Sequence, residues 1–354
     1  MKSNLKNPPV KSAFYNLRKI LGNANWAEFF CIIAPRQNGK TYAVIDYYVN
    51  DFIKTGTPFY WLRGTEAMTK KLLQNNAEGL IDPDIARRYN LDLVTSGSNV
   101  YHVTKRTEPD KNGKTKIVEK KLLARVYSLS TFYKLKGVGI FDKDYKGNYN
   151  IGLDEFCPEK GERIAYPMAY CFVNTMENLV RNTKQNIKVF MLANAVAEAS
   201  EILCLFDFIP ESFGIYKLKS KRCVIHNVEP STEYREMRKG SVADILMPNA
   251  STFTNKITTD TTLIDKSPLI KPLYIIKFTK EHDNWYTVWN NNIICKWNKE
   301  NIRAIPMRPY LDEVFIIDNQ KAIIQQFDTR CFRYRNLITF KQFQSDLEAL
   351  KPRQ

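Results

Sequence analysis

The chain has 354 residues, a hydrophobic content of 44% typical of globular proteins, and 53 Lys and Arg against 37 Asp and Glu, a net charge of +16. This length predicts about two domains, and the basic excess favours an anionic partner, with nucleic acid ahead of a membrane surface. No stretch approaches the roughly 20 apolar residues that span a bilayer, and the polar N-terminus does not resemble a signal peptide. Seven scattered cysteines, no CxxC and three histidines argue against a disulfide scaffold or a structural zinc site. We therefore expect a cytosolic protein.

Strand-like and helix-like segments alternate over the first 200 residues. An apolar run at 29–33 predicts a buried strand, and a helix at 41–54 and a strand at 59–62 follow it. The pattern then predicts helices at 66–78 and 168–183 and strands at 151–153 and 187–193. Strands that alternate with helices are typical of an α/β domain with a mainly parallel sheet.

The character of the sequence changes from about residue 230. Residues 231–255 are polar with mixed charge, as in a connecting subdomain. Three closely spaced β-rich segments at 273–278, 285–289 and 293–297 predict an antiparallel meander, and a helix at 340–350 closes the chain. We predict three regions: a first domain at 1–209, a linker subdomain at 210–256 and a C-terminal α+β domain at 257–354.

The strongest motif lies at residues 34–41, between the first strand and the first long helix. It matches GxxxxGK[ST] except that Ala34 stands in place of the first glycine. Backbone N–H groups of such a loop converge on phosphate, while Gly39 allows close approach, Lys40 reaches the β- and γ-phosphates and Thr41 ligates magnesium. The predicted site for ATP and Mg²⁺ comprises Ala34, Pro35, Arg36, Gln37, Asn38, Gly39, Lys40 and Thr41. Because alanine adopts left-handed backbone less readily than glycine, Ala34 leaves the loop geometry in question.

Polar residues follow two of the predicted strands. Asp154 and Glu155 end the strand at 151–153, where Asp154 would hold magnesium and Glu155 would act as general base on the attacking water. Asn194 follows the strand at 187–193, and ligands of parallel sheets bind at the carboxyl ends of strands. We expect Asn194 to sense the γ-phosphate or orient water, although a turn or helix-cap role fits it equally well.

Cationic side chains are needed at the developing charge of phosphoryl transfer. The candidates are Arg36 in the loop, Arg63 after the second strand, and Arg181. A separate basic cluster lies at residues 101–140, which carry a net charge of +7. Its predicted nucleic-acid contacts are Lys105, Arg106, Lys120, Lys121, Lys134 and Lys136. The alternative is a solvated hairpin, but for the cluster as a whole contact with DNA phosphates is favoured.

Taken together, these motifs resemble one known family. In chain order they read xPRxxGKT, FYWLRG, LDEF, RN and LANAV. This resembles the DNA-packaging ATPases of phi29-like phages, relatives of the large terminase subunits, over residues 26–210. The resemblance implies an ASCE-type, RecA-like P-loop NTPase that works as a ring, usually a pentamer, on the portal of a procapsid. Such a motor pumps double-stranded DNA in the host cytoplasm and is not expected in the mature virion; a structural RNA is a further candidate partner.

The same resemblance assigns roles to individual residues. Lys40 and Thr41 would bind nucleotide, and Asp154 and Glu155 would be the magnesium and water residues. Arg181 matches the arginine finger that acts in trans. Asn194 matches the sensor strand, and Lys136 lies in a basic-Gly motif that touches nucleotide or DNA.

The resemblance also implies a C-terminal domain similar to an RNase H-like nuclease. Such nucleases need clustered carboxylates for two magnesium ions. In the first strand of this region Lys277 occupies the place where an aspartate would be wanted. We therefore expect a vestigial nuclease fold without cleavage activity.

Two other functions remain open at this stage. A helicase or another nucleic-acid-dependent ATPase would need a second motor core, and the C-terminal third offers only a meander. A nucleotide-gated nucleic-acid-binding module would stack bases on Trp285, Trp289 and Trp297, but their spacing favours a core role. A small-molecule kinase would not explain the charge of +16.

Overall fold

The computed structural model describes residues 13–22, 24–108, 115–132, 148–157, 167–180, 187–194, 200–249, 251–255, 262–277, 285–297, 315–317 and 320–350. The chain divides into two compact units, one of residues 1–197 with 210–258 and one of residues 198–209 with 259–354. No helix among the described residues is both long enough and apolar enough to cross a membrane.

The first unit contains nine described strands and nine described helices. The strands are β1 Phe29–Ile33, β2 Phe59–Arg63, β3 Leu93–Ser96, β4 Asn99–Arg106, β5 Ile117–Ser128, β6 Tyr149–Asp154, β7 Ile187–Ala193, β8 Gly214–Leu218 and β9 Cys223–Asn227. The helices are α1 Arg18–Leu21, α2 Lys40–Thr55, α3 Glu66–Ala77, α4 Pro83–Arg88, α5 Leu129–Phe132, α6 Met168–Val180, α8 Thr232–Arg238, α9 Val242–Leu246 and α10 Ser251–Thr254.

The nine strands form one sheet in the order β3-β4-β5-β2-β6-β7-β1-β9-β8. The six strands from β5 to β9 in this order are parallel, and antiparallel strands close both edges. Strand β7 lies between β1, which leads into the loop at 34–39, and β6, which ends at Asp154. The carboxyl ends of β1, β6 and β7 therefore meet at one edge of the sheet.

Helix α2 covers one face of the sheet. Its buried apolar residues Val44, Ile45, Tyr48, Val49 and Phe52 recur at helical spacing and join the core that contains Phe30, Trp61 and Phe190. Burial of such side chains stabilises the fold by about 1.5–3 kcal/mol each. The helix ends at Thr55, and the next residue, Gly56, caps it in the left-handed conformation, with a φ of 73° and an N–H bond to the Phe52 carbonyl.

The second unit has a smaller sheet. Its described elements are α7 Glu201–Leu205, β10 Pro272–Lys277, β11 Trp285–Trp289, β12 Ile293–Trp297, β13 Phe315–Ile317, α11 Gln320–Asp328, β14 Arg333–Tyr334 and α12 Leu337–Leu350. The sheet order is β13-β10-β11-β12-β14, with β10, β11 and β12 antiparallel and β13 parallel to β10. The fifth strand, β14, pairs parallel to β12 at the other edge. Its core contains Tyr286 on β11 and Phe343 on α12, whose rings meet edge to face at 5.0 Å.

The predicted α/β domain and meander are confirmed. Strands β1 and β7 have the predicted bounds, and α2 and β2 extend the predictions by at most one residue at each end. The sequence did not predict β8 and β9, which pair with each other and join the large sheet beside β1. The segment 210–256, which we set apart as a linker subdomain, thus supplies two strands to that sheet.

Candidate nucleotide site

The phosphate loop connects β1 to the N-terminus of α2. Gly39, the residue before the helix, has a φ of 80°, in the left-handed region that glycine adopts without strain. A Cβ atom at this position would lie 3.0 Å from the Phe14 ring. Ala34 is buried, its φ is not positive, and its N–H bonds to the Ala193 carbonyl at 3.1 Å. The substitution at the first glycine of the motif therefore imposes no left-handed strain on the loop.

Residues distant in sequence support the loop from outside. The Tyr234 hydroxyl on α8 donates to the Arg36 carbonyl at 2.6 Å, and Arg238 bonds the Gln37 side chain. On another side, the Tyr15 N–H donates to the Asn38 carbonyl at 2.7 Å. These contacts fix the path of the loop backbone, which is the part that would meet phosphate.

Lys40 connects the loop to the neighbouring strand. Its side chain is largely buried, and its Nζ donates to Asn194 Oδ1 at 2.7 Å and to the Ala34 carbonyl at 3.4 Å. Because β7 lies beside β1 in the sheet, Asn194 at the end of β7 faces the loop. The amide oxygen of Asn194 thus holds the ammonium group in place.

The two acidic residues lie one strand further along. Asp154 is the last residue of β6 and is 9% exposed, while Glu155 follows it with a φ of 61°. Arg63, at the end of β2, places Nη1 2.8 Å from Asp154 Oδ2 and 3.2 Å from Glu155 Oε1. A non-glycine residue with positive φ is uncommon, and such strain occurs preferentially at functional sites.

The predicted residues converge on one cavity of about 280 Å³. It is lined by Arg36, Gln37, Lys40, Thr41, Asp154, Glu155 and Asn194. Burial raises the pKa of the Asp154 carboxyl, and the positive charges of Arg63 and Lys40 act in the opposite direction. The cavity thus joins the buried ammonium group of Lys40, two carboxylates and a helix N-terminus, which is a setting for an anionic ligand.

The other residues of the predicted loop support the cavity without lining it. Ala34, Pro35, Asn38 and Gly39 belong to the loop backbone between β1 and α2. Arg181, Lys134 and Lys136 lie outside the described residues.

The basic residues predicted to contact nucleic acid lie on the hairpin of β4 and β5, and four of them are described. Lys105, Arg106, Lys120 and Lys121 are exposed, near one edge of the large sheet. Arg106 forms a two-pronged ion pair with Asp92, at 2.5 and 2.8 Å, and Lys120 Nζ lies 4.1 Å from the centre of the Tyr101 ring. In the register of β4 and β5, Lys105 lies opposite Glu119 and Lys121 lies opposite His102.

Sequence reasoning missed the residues that support the site. Tyr234 and Arg238 lie about 200 residues after the loop, with no local signal that links them to it. Arg63 was predicted only as a possible cation for the developing charge, whereas the structure places it on the two carboxylates of its own subunit. The FYWLRG segment followed by an LDEF strand was the available signal, since it puts Arg63 and Asp154 at the ends of two neighbouring strands.

The fold and the loop together define the class of protein. ASCE-type P-loop NTPases have a GK[ST] loop at a helix N-terminus. They also have one strand between the strand before the loop and the strand that leads to the acidic pair. In this chain β7 is that strand, between β1 and β6. Within this class, the chain belongs to the Podovirus DNA encapsidation protein (Gp16) family, whose model matches residues 10–329.

Related proteins support this placement. The chain is 25% identical over 239 residues to the DNA packaging proteins of Bacillus phages PZA and phi29. The match covers 66% of this chain and 63% of each relative, less than two thirds of their length. The fold is similar to that of the Phi-28 gp11 DNA packaging motor, with a TM-score of 0.64 at 16% identity over 96% of this chain and 99% of that one. It is also similar to the bacteriophage Phi-29 viral genome packaging motor assembly, with a TM-score of 0.58 at 20% identity over 95% and 99% of the two chains.

Proposed function

We propose that the protein is an ATPase that drives double-stranded viral DNA into a procapsid. The observation that carries this proposal is the convergence of Lys40, Thr41, Asp154, Glu155 and Asn194 on one cavity at the carboxyl edge of the large sheet. Family membership supports the packaging role, because the relatives in phages PZA and phi29 are DNA packaging proteins.

The residues present fit a magnesium–nucleotide ligand. A nearly buried ammonium group, that of Lys40, points into a cavity at the N-terminus of α2, where backbone N–H groups attract phosphate. Thr41 and Asp154 supply the hydroxyl and carboxylate oxygens that magnesium prefers, and magnesium neutralises phosphate charge when bound.

Three of the lining residues act directly in hydrolysis. Lys40 binds the β- and γ-phosphates, and Asn194, which holds Lys40, senses the γ-phosphate. Glu155 takes a proton from water as the general base, a step that commonly contributes 10²–10⁴-fold to a rate. Arg181 completes the site of a neighbouring subunit as the finger in trans, so we propose a ring of copies, a pentamer by analogy with the family.

The remaining partners follow from charge and from the family. The exposed basic side chains of the β4–β5 hairpin grip the DNA backbone without regard to sequence. The ring acts on the portal of a procapsid in the host cytoplasm, with a structural RNA as a further partner. In the second unit, Lys277 of β10 lies 4.7 Å from the Trp285 ring, and this cation in place of a carboxylate supports a nuclease-like fold that does not cut DNA.

The test is the steady-state ATPase rate with and without double-stranded DNA, for the wild type beside Glu155→Gln. We expect DNA to stimulate the wild type, and the variant to lose about 10²–10⁴-fold of the rate while it still binds nucleotide. A rate that ignores DNA, measured with procapsids present so that the motor can assemble, would contradict the translocase and favour a nucleotide-gated binding module.

A further inference from the structure

Helix α4 is joined by side chains to the helix that begins at the phosphate loop. Its residue Arg88 contacts two side chains of α2, with Nη1 2.9 Å from Asp46 Oδ1 and Nη2 hydrogen-bonded to the Tyr42 hydroxyl. The Tyr42 hydroxyl also donates to Asp84 Oδ2 of α4 at 2.6 Å, and the Arg88 guanidinium lies 5.7 Å from the centre of the Tyr42 ring. Tyr42 directly follows Thr41, which we assign to magnesium, so α4 is held against the first turn of α2.

The other end of α4 is joined to the hairpin of β4 and β5. The four residues after α4 lead to β3, and the last of them, Asp92, bonds β4 through its backbone. Its N–H donates to His102 Nδ1 at 3.2 Å, and its carbonyl accepts from the Val103 N–H at 2.8 Å. Its carboxylate forms the two-pronged ion pair with Arg106, a side chain that we assign to DNA. One short segment therefore connects an element of the nucleotide site to an element of the proposed DNA contact.

These ion pairs are too exposed for stability to account for them. The side chains of Arg88 and Asp84 are 45% and 56% exposed, and the pair of Arg106 with Asp92 is also partly exposed. Ion pairs at such positions contribute little to stability. The helix is anchored instead by Ile85, which is fully buried in the core of the first unit. Loss of one ion pair should therefore leave the fold intact and change only what the pair positions.

DNA and Asp92 compete for the same guanidinium group. Arginine forms two-pronged contacts with phosphate as it does with a carboxylate. Contact between Arg106 and a DNA phosphate therefore breaks the pair with Asp92. The segment that ends α4 then loses one of its restraints, so DNA gives it a second arrangement.

We propose that α4 couples the two sites, and that Arg88 is the positioning residue through which DNA on the hairpin stimulates ATP hydrolysis. This inference rests on the proposed ATPase function. Without DNA, the pair of Arg106 with Asp92 and the contact of Arg88 with Tyr42 hold α4 between the hairpin and α2. With DNA, release of Asp92 changes the position of α4, and Arg88 passes this change to the turn that carries Thr41.

Coupling between two sites is reciprocal, which makes it measurable by binding alone. If DNA changes the affinity for nucleotide, nucleotide changes the affinity for DNA by the same factor, commonly about 5–150-fold. We therefore expect a non-hydrolysable ATP analogue with Mg²⁺ to change the affinity of the wild type for duplex DNA by a factor in this range. The ratio of the two DNA affinities is the coupling factor.

The experiment measures this coupling factor on the full chain with fluorescent double-stranded DNA, beside the steady-state ATPase rate with and without DNA. For Arg88→Gln we expect the coupling factor to fall close to one and the stimulation of hydrolysis by DNA to be lost. The ATPase rate without DNA and the DNA affinity without nucleotide should stay at the wild-type level. Arg88 belongs neither to the lining of the nucleotide cavity nor to the hairpin, so neither site loses a contact of its own.

Arg87→Gln is the matched control, because it removes the same charge from the same helix. Arg87 is exposed, and its polar contacts, with Asp84 at 3.9 Å and with the Pro83 carbonyl at 3.3 Å, stay within α4. This variant should keep the wild-type coupling factor. If Arg88→Gln does not fold, Tyr42→Phe removes only the hydroxyl that joins α2 to α4, and it should lose part of the coupling.

Asp92→Asn tests the other end of the connection. Because the carboxylate competes with phosphate for Arg106, this variant should bind DNA more tightly in the absence of nucleotide. It should also lower the coupling factor. If α4 acts as a single connection, Asp92→Asn with Arg88→Gln should lose no more coupling than Arg88→Gln alone.

A wild-type coupling factor in Arg88→Gln would overturn the inference and leave the ATPase proposal standing. An equal loss in Arg87→Gln would also overturn it, because the effect would then be general electrostatics, and so would weaker DNA binding by Asp92→Asn. A wild-type chain that binds no analogue, or whose hydrolysis ignores DNA with procapsids present, would overturn the proposed function itself.

Discussion

Gly152 lies directly against the indole ring of Trp61. The two residues are neighbours in register on β6 and β2, and a Cβ atom at position 152 would lie 2.3 Å from Trp61 Cε3. Trp61 is fully buried, so the ring has no room to withdraw. The glycine two residues before Asp154 is thus a packing requirement of the strand that carries the acidic pair.

We expect Gly152→Ala to lower the free energy of unfolding by about 1–3 kcal/mol, because overpacking forces the indole or the strand to move. Urea denaturation measures the change. Addition of Trp61→Phe, which removes the ring atoms nearest to position 152, should restore part of the loss in a double-mutant cycle. Additive effects of the two changes would contradict the contact.

Lys40→Ala should lower the ATPase rate by at least about 10²-fold, the order found when a donor aimed at developing charge is lost. The fold should persist, since removal of a nearly buried cation also removes its desolvation cost. Steady-state kinetics and a thermal melt test the two parts. Lys54→Ala, on the exposed last turn of α2, is the control and should hydrolyse ATP normally.

If Arg181 acts in trans, Arg181→Ala subunits and Glu155→Gln subunits should complement one another. Each is inactive alone, but a mixed ring contains interfaces where an intact Glu155 meets an intact Arg181. The ATPase rate of mixtures should therefore pass through a maximum near equal proportions. No recovery at any mixing ratio would count against a finger supplied by a neighbour.

DNA binding should weaken steeply with salt if the β4–β5 hairpin contacts phosphates. Counterion release gives a slope of roughly −0.9 per phosphate contact on a log–log plot, which is measurable between about 50 and 200 mM salt. Changing Lys105, Lys120 and Lys121 together to Ala should reduce that slope by about 2–3. The same change at Lys217, Lys219 and Lys221, exposed near the opposite edge of the sheet, is the matched control; an equal effect there would contradict a local contact.

His226 should make the stability pH-dependent. It lies at 8% exposure on β9, shares a 3.0 Å hydrogen bond with the Tyr15 hydroxyl, and has a pKa lowered by burial to about 4 from its usual 6.5. Because the unfolded chain binds the proton more readily, its contribution is complete above pH 6.5 and is lost as the pH falls towards 4. The loss is of order 2–3 kcal/mol. Urea unfolding at pH 7, 5.5 and 4.5 should show a smaller loss for His226→Asn than for the wild type.

The elements that position the site were predictable because each has a local signal. Each signal is a short stretch of the sequence: the apolar run of β1, the GK[ST] loop, and the acidic or amide residues at the ends of β6 and β7. Parallel topology then brings their carboxyl ends together, so Lys40 and Asn194 meet although 154 residues separate them.

Strands β8 and β9 were not predicted because their composition is not typical of buried strands. All five residues of β9 are buried, and two of them, His226 and Asn227, are polar residues that seldom occur in a fully buried strand. Asn227 is tolerated there since its amide donates to the Ser212 carbonyl at 2.9 Å. Such a partner is visible only in three dimensions, as is the contact between Arg63 and the acidic pair.

The contacts that hold the phosphate loop also determine at what point of its synthesis the chain can bind nucleotide. Strand β1 pairs with β9, and the Arg36 carbonyl is held by Tyr234, 198 residues later in the chain. A ribosome-bound chain that ends before residue 234 lacks these contacts. Contacts of such long sequence separation form late and slow folding, so a nascent fragment should bind ATP poorly even though its GK[ST] motif emerged early. Nucleotide binding should therefore appear only after β9 and Tyr234 have been synthesised, not when the N-terminal motif emerges.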